Sequence, residues 1–277
     1  MVKSRKLAVV ILLLVGVLLH GSAVYAAPKA NLWPYWQNHD PDSVVLVDHG
    51  RWDSILHQYV ETGYPSGINR FHYKRVSKED LQSLQDYLHD MQEVNVSSLN
   101  RSEQKAYWIN LYNALTVEVV LTHYPVASIR DINISPGIFT RGPWDAKLLT
   151  IEGQQVSLND IEHRILRPLW RDNRIHYAVN CASLGCPNLQ PEAFTSRNTE
   201  TLLQKAAHEF INHPRGVSFD SNGMRVSSIY FWFREDFGGS EKGIIAHLQK
   251  YLSPENLAQL NSGKKRLSHR YDWKLNE

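Results

Sequence analysis

The only two cysteines of this 277-residue sequence, Cys181 and Cys186, lie five positions apart. His176 precedes Cys181 by five residues, and Asn180 directly precedes it. A thiol near an imidazole and a carboxamide can act as a nucleophile that the imidazole activates. Two cysteines this close can equally form a small disulfide. The residue types therefore leave two kinds of chemistry open, a reactive thiol and a disulfide.

The residues before Cys181 indicate the element that would position it. In residues 175–180, small or polar side chains alternate with apolar ones, at the two-residue spacing of a β-strand. Small residues and a proline follow and end the pattern. We therefore predict a strand that points His176 and Asn180 to the same side, just before the cysteine loop.

A second group of ionisable residues lies on a helix predicted over residues 157–170. Its apolar side chains form one stripe; Glu162 lies at the edge of that stripe, with His163 beside it. Arg164 and Arg167 are expected on the opposite face. A carboxylate that faces a core is usually paired or has a shifted pKa. Glu162 is therefore either the buried partner of an arginine or a catalytic carboxylate.

The longest predicted helix, over residues 102–123, carries Asn110 and Asn113 among apolar side chains on nearly every face. An unpaired buried amide costs about 1–3 kcal/mol, so both carboxamides need partners. We interpret them as ties between the helix and the backbone of a neighbouring loop. The alternative is that they orient a catalytic group or line a cleft.

Periodicity and turn signals divide the rest of the chain into helices and short hairpins. Besides the two helices above, helices are predicted over residues 77–91, 199–212, 229–237 and 242–251, and hairpins over residues 148–158 and 217–226. This mixed order favours the α+β class over a doubly wound parallel sheet. We expect several helices packed on a small mixed or antiparallel sheet.

The N-terminus has the pattern of a secretory signal peptide: basic residues, an apolar run over residues 7–19, and small residues at the cleavage site. The apolar run is short for a membrane span, and no later segment is apolar enough to cross a bilayer. We expect a signal peptide over residues 1–26, an aromatic N-terminal arm over residues 27–43 and a single globular domain over residues 44–277. The protein is predicted to be exported, and therefore periplasmic or secreted.

The charge of the mature chain excludes one class of partner. Signal cleavage would remove three of the 30 Lys and Arg residues and none of the 28 Asp and Glu residues, which leaves a net charge of −1. A slightly acidic mature chain gives no sign of a nucleic-acid partner. About 250 mature residues are enough for one domain with a substantial core.

Four segments together resemble one family closely: residues 106–115, 161–163, 176–187 and 271–276. They read Ala-Tyr-Trp-Ile-Asn-Leu-Tyr-Asn-Ala-Leu, Ile-Glu-His, His-Tyr-Ala-Val-Asn-Cys-Ala-Ser-Leu-Gly-Cys-Pro and Tyr-Asp-Trp-Lys-Leu-Asn. On these motifs the chain is similar, over residues 45–276, to domain-of-unknown-function family five-four-seven. Bacterial members of that family are often exported, and the family brings no established activity.

The resemblance directs attention to the positions that match the family's motifs. As catalytic residues we predict Cys181, His163, His176, Glu162 and Asn180. As supporting residues we predict Asn110, Asn113, Ser183, Cys186 and Asp272.

The first functional hypothesis is a cysteine-dependent hydrolase or acyltransferase that acts on an amide or peptide bond in the cell envelope. It implies a divergent papain/transglutaminase-like arrangement. Cys181 would be the nucleophile, with His163 or His176 as the base and Glu162 or Asp272 orienting that base. The carboxamide before the cysteine, or a backbone N–H, would hold the oxyanion.

Two other hypotheses follow from an oxidising compartment. One is a non-enzymatic envelope interaction domain with a structural Cys181–Cys186 disulfide, which would stabilise it by only about 2 kcal/mol because the loop is short. The other is a thiol–disulfide redox protein, although the cysteine spacing is wider than Cys-x-x-Cys. We expect no cofactor and no metal site. The expected partner is an envelope protein or a peptide-like substrate.

Overall fold

The computed structural model describes residues 28–137, 140–262 and 266–277. The signal peptide predicted over residues 1–26 lies outside the described residues. The described chain is a single α+β domain, as the order of helices and hairpins predicted. Within that part of the chain, no helix is both long and apolar enough to cross a membrane.

Helices dominate the N-terminal half. Its elements are α1 (Gly50–Tyr59), β1 (Val60–Glu61), β2 (Arg70–Phe71), α2 (Lys78–Gln92), α3 (Arg101–His123), β3 (Leu149–Ile151) and β4 (Gln154–Val156). Side-chain caps start the two long helices: Ser77 accepts a hydrogen bond from the Asp80 amide, and Asn100 accepts two at the start of α3. Both helices were predicted, whereas α1 and the β1–β2 pair were not.

The C-terminal half begins with a π-helix over Asp160–Leu166, which leads directly into α4. The elements that follow are α4 (Arg167–Trp170), α5 (Ile175–Ala178), α6 (Thr199–Asn212), β5 (Val217–Asp220), β6 (Gly223–Ser227), α7 (Ile229–Trp232), a 3-10 helix (Arg234–Phe237), α8 (Glu241–Leu248), α9 (Pro254–Ser262) and β7 (Leu267–Arg270). The sequence predicted neither α9 nor β7.

The strands form three small sheets rather than one. The β1–β2 and β3–β4 pairs are antiparallel hairpins, while β5, β6 and β7 form a mixed sheet in which β6 and β7 run parallel. Gly223 starts β6 with φ 137°, and a Cβ there would lie 2.3 Å from the carbonyl oxygen of Arg266. A side chain at this position would therefore push β7 away from β6.

Two apolar cores meet at the cysteine segment. One core contains the buried faces of α1, α2, α3 and the π-helix, together with Trp36 of the N-terminal arm, whose ring lies 4.8 Å from that of Trp108. The other contains α6, α8 and the mixed sheet. Tyr177 belongs to the second core, while Ala178 and Ala182 belong to the first. The cysteine segment is thus held from both sides.

The strand predicted over residues 175–180 is wrong. Ile175–Ala178 is one turn of helix, and the chain becomes extended only at Val179. All residues of this segment are buried, because it lies between two cores. The alternating polarity of these six residues therefore reflects burial on both sides of the segment rather than strand geometry. His176 and Asn180 consequently make unrelated contacts.

The helix predicted over residues 157–170 exists, but its central seven residues are wound as a π-helix. Ser157 and Asp160 cap its start, with the Ser157 hydroxyl 2.7 Å from the Asp160 carboxylate. In a π-helix the hydrogen bonds join residues five apart, so Glu162 and Arg167 share a face. The prediction that Arg167 lies opposite Glu162 is wrong, since it assumed α-helical winding.

Candidate functional site

The cysteine pair occupies a short loop between the two cores. The sulfurs of Cys181 and Cys186 lie at disulfide distance, with Cα atoms 6.3 Å apart. Cys181 is partly exposed, whereas Cys186 is only 3% exposed. Cys181 is therefore the more exposed cysteine of the pair.

Hydrogen bonds hold the ends of this loop together. The Asn180 carboxamide donates to the Pro187 carbonyl at 2.8 Å and accepts from the Ala182 amide at 2.8 Å. Ala182 adopts a left-handed conformation, φ 55°, which turns the chain between Cys181 and Ser183. Asn180 therefore shapes the loop, since both ends of its side chain are occupied by backbone.

The two asparagines of α3 also bond to backbone. Asn113 donates to the Ala178 carbonyl at 2.9 Å and accepts from the Asn180 amide at 2.8 Å, so it fixes the entry to the cysteine loop. Asn110 makes the same pair of bonds with Phe194, at 2.7 and 2.9 Å. Their amides are thus fully used in tying α3 to two loops.

Tyr271 is the polar side chain closest to both sulfurs, and sequence reasoning missed it. Its hydroxyl lies 3.0 Å from Cys181 Sγ, 3.1 Å from Cys186 Sγ and 3.0 Å from the Ser183 hydroxyl. Burial raises the pKa of Tyr271, which keeps the hydroxyl protonated and able to donate. The family segment over residues 271–276 begins at this tyrosine, but the residue predicted from that segment was its neighbour, Asp272.

Asp272 supports the loop through its backbone. Its carbonyl accepts from the Gly185 amide at 2.8 Å, while its exposed carboxylate accepts from the Lys274 amide at 3.0 Å. A Cβ on Gly185 would lie 2.8 Å from backbone atoms of Asp272. Glycine is required here because the two backbones are in direct contact.

A partly buried cation, Arg215, lies beside the same loop and was also missed. Its guanidinium donates to the Leu184 carbonyl at 3.0 Å and to the Asn188 side chain at 2.5 Å. Burial lowers the pKa of Arg215 to about 10, so the group remains positively charged at neutral pH. No sequence motif pointed to it, because it comes from the loop before β5.

The two predicted histidines belong to a separate network. His176 Nε2 lies 2.7 Å from the Asp236 carboxylate, and His176 Nδ1 lies 3.6 Å from the Glu162 carboxylate. Arg167 donates to Asp236 at 2.6 Å and lies 3.0 Å from His163 Nδ1. The π-helix and α5 bring these groups together, and Asp236 reaches them from the 3-10 helix after α7.

The network joins two carboxylates, Glu162 and Asp236, to the guanidinium of Arg167 and to two imidazoles. Burial raises the pKa of Glu162, but His163, His176 and Arg167 outweigh it and hold that pKa at about 2. Burial lowers the pKa of His176, but Asp236 and Glu162 raise it above its ordinary value. Burial lowers the pKa of His163 to about 4, so its imidazole is neutral. Glu162 and Asp236 thus favour the protonated form of His176, whereas His163 is neutral.

The structure therefore separates the predicted catalytic residues into two groups. Cys181, Asn180, Ser183 and Cys186 lie in or beside the cysteine loop. Glu162, His163 and His176 lie in the charge network. Within the described ranges, neither histidine makes a hydrogen bond to Cys181, and no group of three or more His, Cys, Asp or Glu side chains is arranged to hold a metal ion.

Residues 96–211 match the family model described as "Protein of unknown function, DUF547". This region belongs to the DUF547 family. The match confirms the family predicted from the sequence, over a shorter range than residues 45–276. It runs from just before α3 to the end of α6, so Tyr271 and Asp236 lie outside it. Comparison with curated proteins and comparison with solved structures each gave no match.

Proposed function

We propose that this protein is exported and performs thiol–disulfide exchange through Cys181 and Cys186. One observation carries the proposal: the pair is asymmetric, with Cys181 partly exposed and Cys186 buried among hydrogen-bond donors. The export rests on the signal-peptide pattern of residues 1–26.

The exchange begins at the accessible sulfur. The thiolate of a partner attacks Cys181 Sγ, the Cys181–Cys186 bond breaks, and Cys186 leaves as a thiolate. A second partner thiolate then attacks the partner's own sulfur in the mixed disulfide and releases the Cys181 thiolate. Both cysteine thiolates take up the two protons that the partner thiols lost. The partner dithiol is oxidised to a disulfide and the protein is reduced, and the reverse reaction restores the disulfide.

The surroundings of Cys186 favour its role as the leaving group. Its sulfur accepts a hydrogen bond from the Cys181 amide at 2.9 Å and lies 3.1 Å from the Tyr271 hydroxyl. The cation of Arg215 lies beside the loop. Donors and a nearby positive charge stabilise a thiolate, and a thiol of lower pKa leaves faster in exchange.

Stability alone is a weak reason for this disulfide. Closing so short a loop contributes about 2 kcal/mol in the chain-entropy account. The loop is already held by Asn113, Asn180 and the backbone of Asp272. The donors aimed at the sulfurs have no function in a purely structural cross-link.

The acyl-transfer hypothesis stays a prediction. It needs a base within hydrogen-bond reach of Cys181, and the groups that contact this sulfur are the hydroxyls of Ser183 and Tyr271. His163 and His176 are instead engaged with carboxylates and an arginine. Exchange chemistry requires no base at Cys181, which is why the geometry supports it better.

The test compares the two single-cysteine variants of the mature protein. With dithionitrobenzoate as the probe, Cys186→Ser should react rapidly and form a stable mixed disulfide at Cys181. Cys181→Ser, with only the buried sulfur left, should react slowly until the protein is denatured. Equal slow labelling of both variants, or a wild-type disulfide that dithiothreitol reduces only in denaturant, would identify a structural cross-link instead.

A further inference from the structure

The N-terminal arm consists of an exposed segment followed by a buried anchor. The anchor begins at Pro34, the first residue of a 3-10 helix. Trp36 packs in the first core, and the Tyr35 hydroxyl donates to Glu152 at 2.9 Å. Residues 28–33, in contrast, are all partly or fully exposed, and we name them the strap. A segment that buries so little surface can open locally while the rest of the domain stays folded.

Two backbone hydrogen bonds hold the strap against the π-helix. The Asn31 amide donates to the His163 carbonyl at 2.9 Å, and the Trp33 amide donates to the Arg164 carbonyl at 2.9 Å. Trp33 has an extended backbone, with φ −89° and ψ 105°. Because N–H groups two residues apart face the same side of an extended segment, both can bond to one neighbour. The strap therefore docks through its backbone, as a peptide strand added to a sheet does.

Pro168 explains why these two carbonyls are open to the strap. An N–H at position 168 would reach the His163 carbonyl at π-helical spacing and the Arg164 carbonyl at α-helical spacing. Proline has no N–H, so it donates to neither. The two amides of the strap take the place of that donor. The helix sequence thus creates a docking site for a polypeptide backbone.

The Trp33 side chain adds a second kind of contact at this site. The centre of its ring lies 4.4 Å from the guanidinium carbon of Arg164 and 6.0 Å from the ammonium nitrogen of Lys147. Both cations also pair with the carboxylate of Asp160, which fixes their positions. Cations are attracted to the face of an indole ring. The site therefore binds an aromatic side chain as well as two N–H groups.

The first residue of the strap covers the charge network. The Pro28 carbonyl accepts a hydrogen bond from Arg167 Nη1 at 2.8 Å. The same guanidinium donates to Asp236 at 2.6 Å and lies 3.0 Å from His163 Nδ1. With the strap in place, Arg167 is only 6% exposed. Opening the strap would remove this acceptor and leave one donor of Arg167 free for another molecule.

We propose that the strap is a detachable intramolecular ligand of this site on the π-helix. The site takes a polypeptide segment that has two N–H donors two residues apart and a tryptophan at the second of them. When the strap leaves, the carbonyls of His163 and Arg164 and one donor of Arg167 become accessible together. The proposal is independent of the exchange reaction, since neither sulfur takes part in it.

Native-state hydrogen exchange of the mature protein tests whether the strap detaches. The amides of Asn31 and Trp33 should be equally protected and should exchange at least about tenfold faster than buried amides of α3. Low concentrations of urea should not accelerate them, because a local opening exposes little surface. If both amides exchange at the rate and urea dependence of α3, the strap opens only on unfolding and the proposal is wrong.

Position 31 offers a matched pair of substitutions, because its side chain is exposed while its N–H docks the strap. Asn31→Pro removes the N–H and should speed exchange of the Trp33 amide about fivefold, whereas Asn31→Ala keeps the N–H and the wild-type rate. Trp33→Ala should speed exchange of the Asn31 amide by a similar factor, which keeps the test valid if proline distorts the strap. Equal rates in Asn31→Pro and Asn31→Ala would show that this N–H does not dock the strap.

A free peptide tests whether the site binds a polypeptide added from solution. The probe is the capped peptide Pro-Lys-Ala-Asn-Leu-Trp of residues 28–33, followed by the NMR shifts of the Arg164 and Arg167 side chains. In the wild type the attached strap competes with it. The peptide should therefore bind Asn31→Pro more tightly than the wild type, by the same factor by which that variant speeds exchange.

A second peptide, with alanine in place of tryptophan, should bind Asn31→Pro about tenfold more weakly. Equal affinity of the two peptides would show that the site does not select an aromatic side chain. Faster exchange in Asn31→Pro without any gain in peptide affinity would identify the strap as a frayed chain end rather than a bound ligand. Either result overturns the proposal.

Discussion

At the scale of single residues, the Tyr271 hydroxyl is the group that can follow the charge during exchange. It lies at nearly equal distances from the two sulfurs, 3.0 and 3.1 Å. Because burial raises its pKa, it stays protonated at the pH at which a thiol ordinarily ionises, about 8.5. It can therefore donate to whichever sulfur carries the negative charge.

Replacing Tyr271 with Phe removes this donor and keeps the ring. A hydrogen bond to a charged group contributes about 1.5–3 kcal/mol, so reduction of the disulfide by dithiothreitol should slow by roughly tenfold to a hundredfold. The control is Tyr64→Phe, which removes a hydroxyl from an exposed tyrosine. Reduction of Tyr271→Phe at the wild-type rate would show that the hydroxyl does not stabilise a thiolate.

His163 should make the free energy of unfolding depend on pH in the acidic range. Burial lowers its pKa from 6.5 to about 4 in the folded state. Between those pH values the unfolded chain binds more protons than the folded one. The free energy of unfolding should therefore fall as the pH is lowered from about 6.5 to about 4, with this residue contributing at most about 1.4 kcal/mol per pH unit.

The variant His163→Gln should remove this contribution and flatten that part of the stability curve. Urea unfolding at several pH values between 4 and 6.5 measures the slope. His208→Gln, a change at an exposed position on α6, should keep the wild-type slope. A wild-type slope in His163→Gln would mean that another group accounts for the acid sensitivity.

At the scale of elements, α3 is the support on which the cysteine loop is built. Asn110 and Asn113 lie on one face of this helix, and each bonds both ends of its amide to a different loop. Only Asn113 touches the segment that leads into Cys181. Comparing substitutions of these two asparagines therefore separates an effect on the stability of the fold from an effect on access to the sulfurs.

Asn113→Ala and Asn110→Ala should each lower the free energy of unfolding by about 1–3 kcal/mol, because each leaves buried backbone groups unpaired. Only Asn113→Ala should also speed the reduction of the disulfide, since only this change loosens the loop entry. Urea unfolding and dithiothreitol reduction measure the two effects. Equal acceleration in both variants would instead indicate general loosening of the fold.

At the scale of the whole molecule, the cysteine loop lies where the two apolar cores meet. The backbone of Leu184 and Gly185 bonds to the segment after β7, and the amide of Asn276 bonds to Ala182. None of these contacts involves a sulfur atom. We therefore expect the fold to persist when the disulfide is reduced.

The double variant Cys181→Ser/Cys186→Ser should accordingly remain folded. We expect its free energy of unfolding to be about 2 kcal/mol below that of the oxidised protein, the contribution of a short closed loop. Urea unfolding of the variant and of the oxidised and reduced wild type measures this difference. Unfolding of the double variant at neutral pH would assign the disulfide a structural role.

Much of the fold followed from the sequence because its signals are local. Apolar periodicity and turn signals located α2, α3, α6 and both predicted hairpins. The prediction failed where tertiary contacts override local pattern. The segment 175–180 alternates in polarity yet forms a helical turn, because cores on both sides bury all of it.

The sequence by itself determined the α+β class and the family of residues 96–211, and it predicted Cys181 and Cys186 as site residues. Only the tertiary structure decided which groups surround the sulfurs. The Tyr271 hydroxyl reaches both sulfurs, and Arg215 reaches the backbone of the loop between them, from parts of the chain remote in sequence. His176, five residues from Cys181, instead contacts Asp236. Spacing along the chain describes local geometry, but contacts between distant segments form only when the two cores pack.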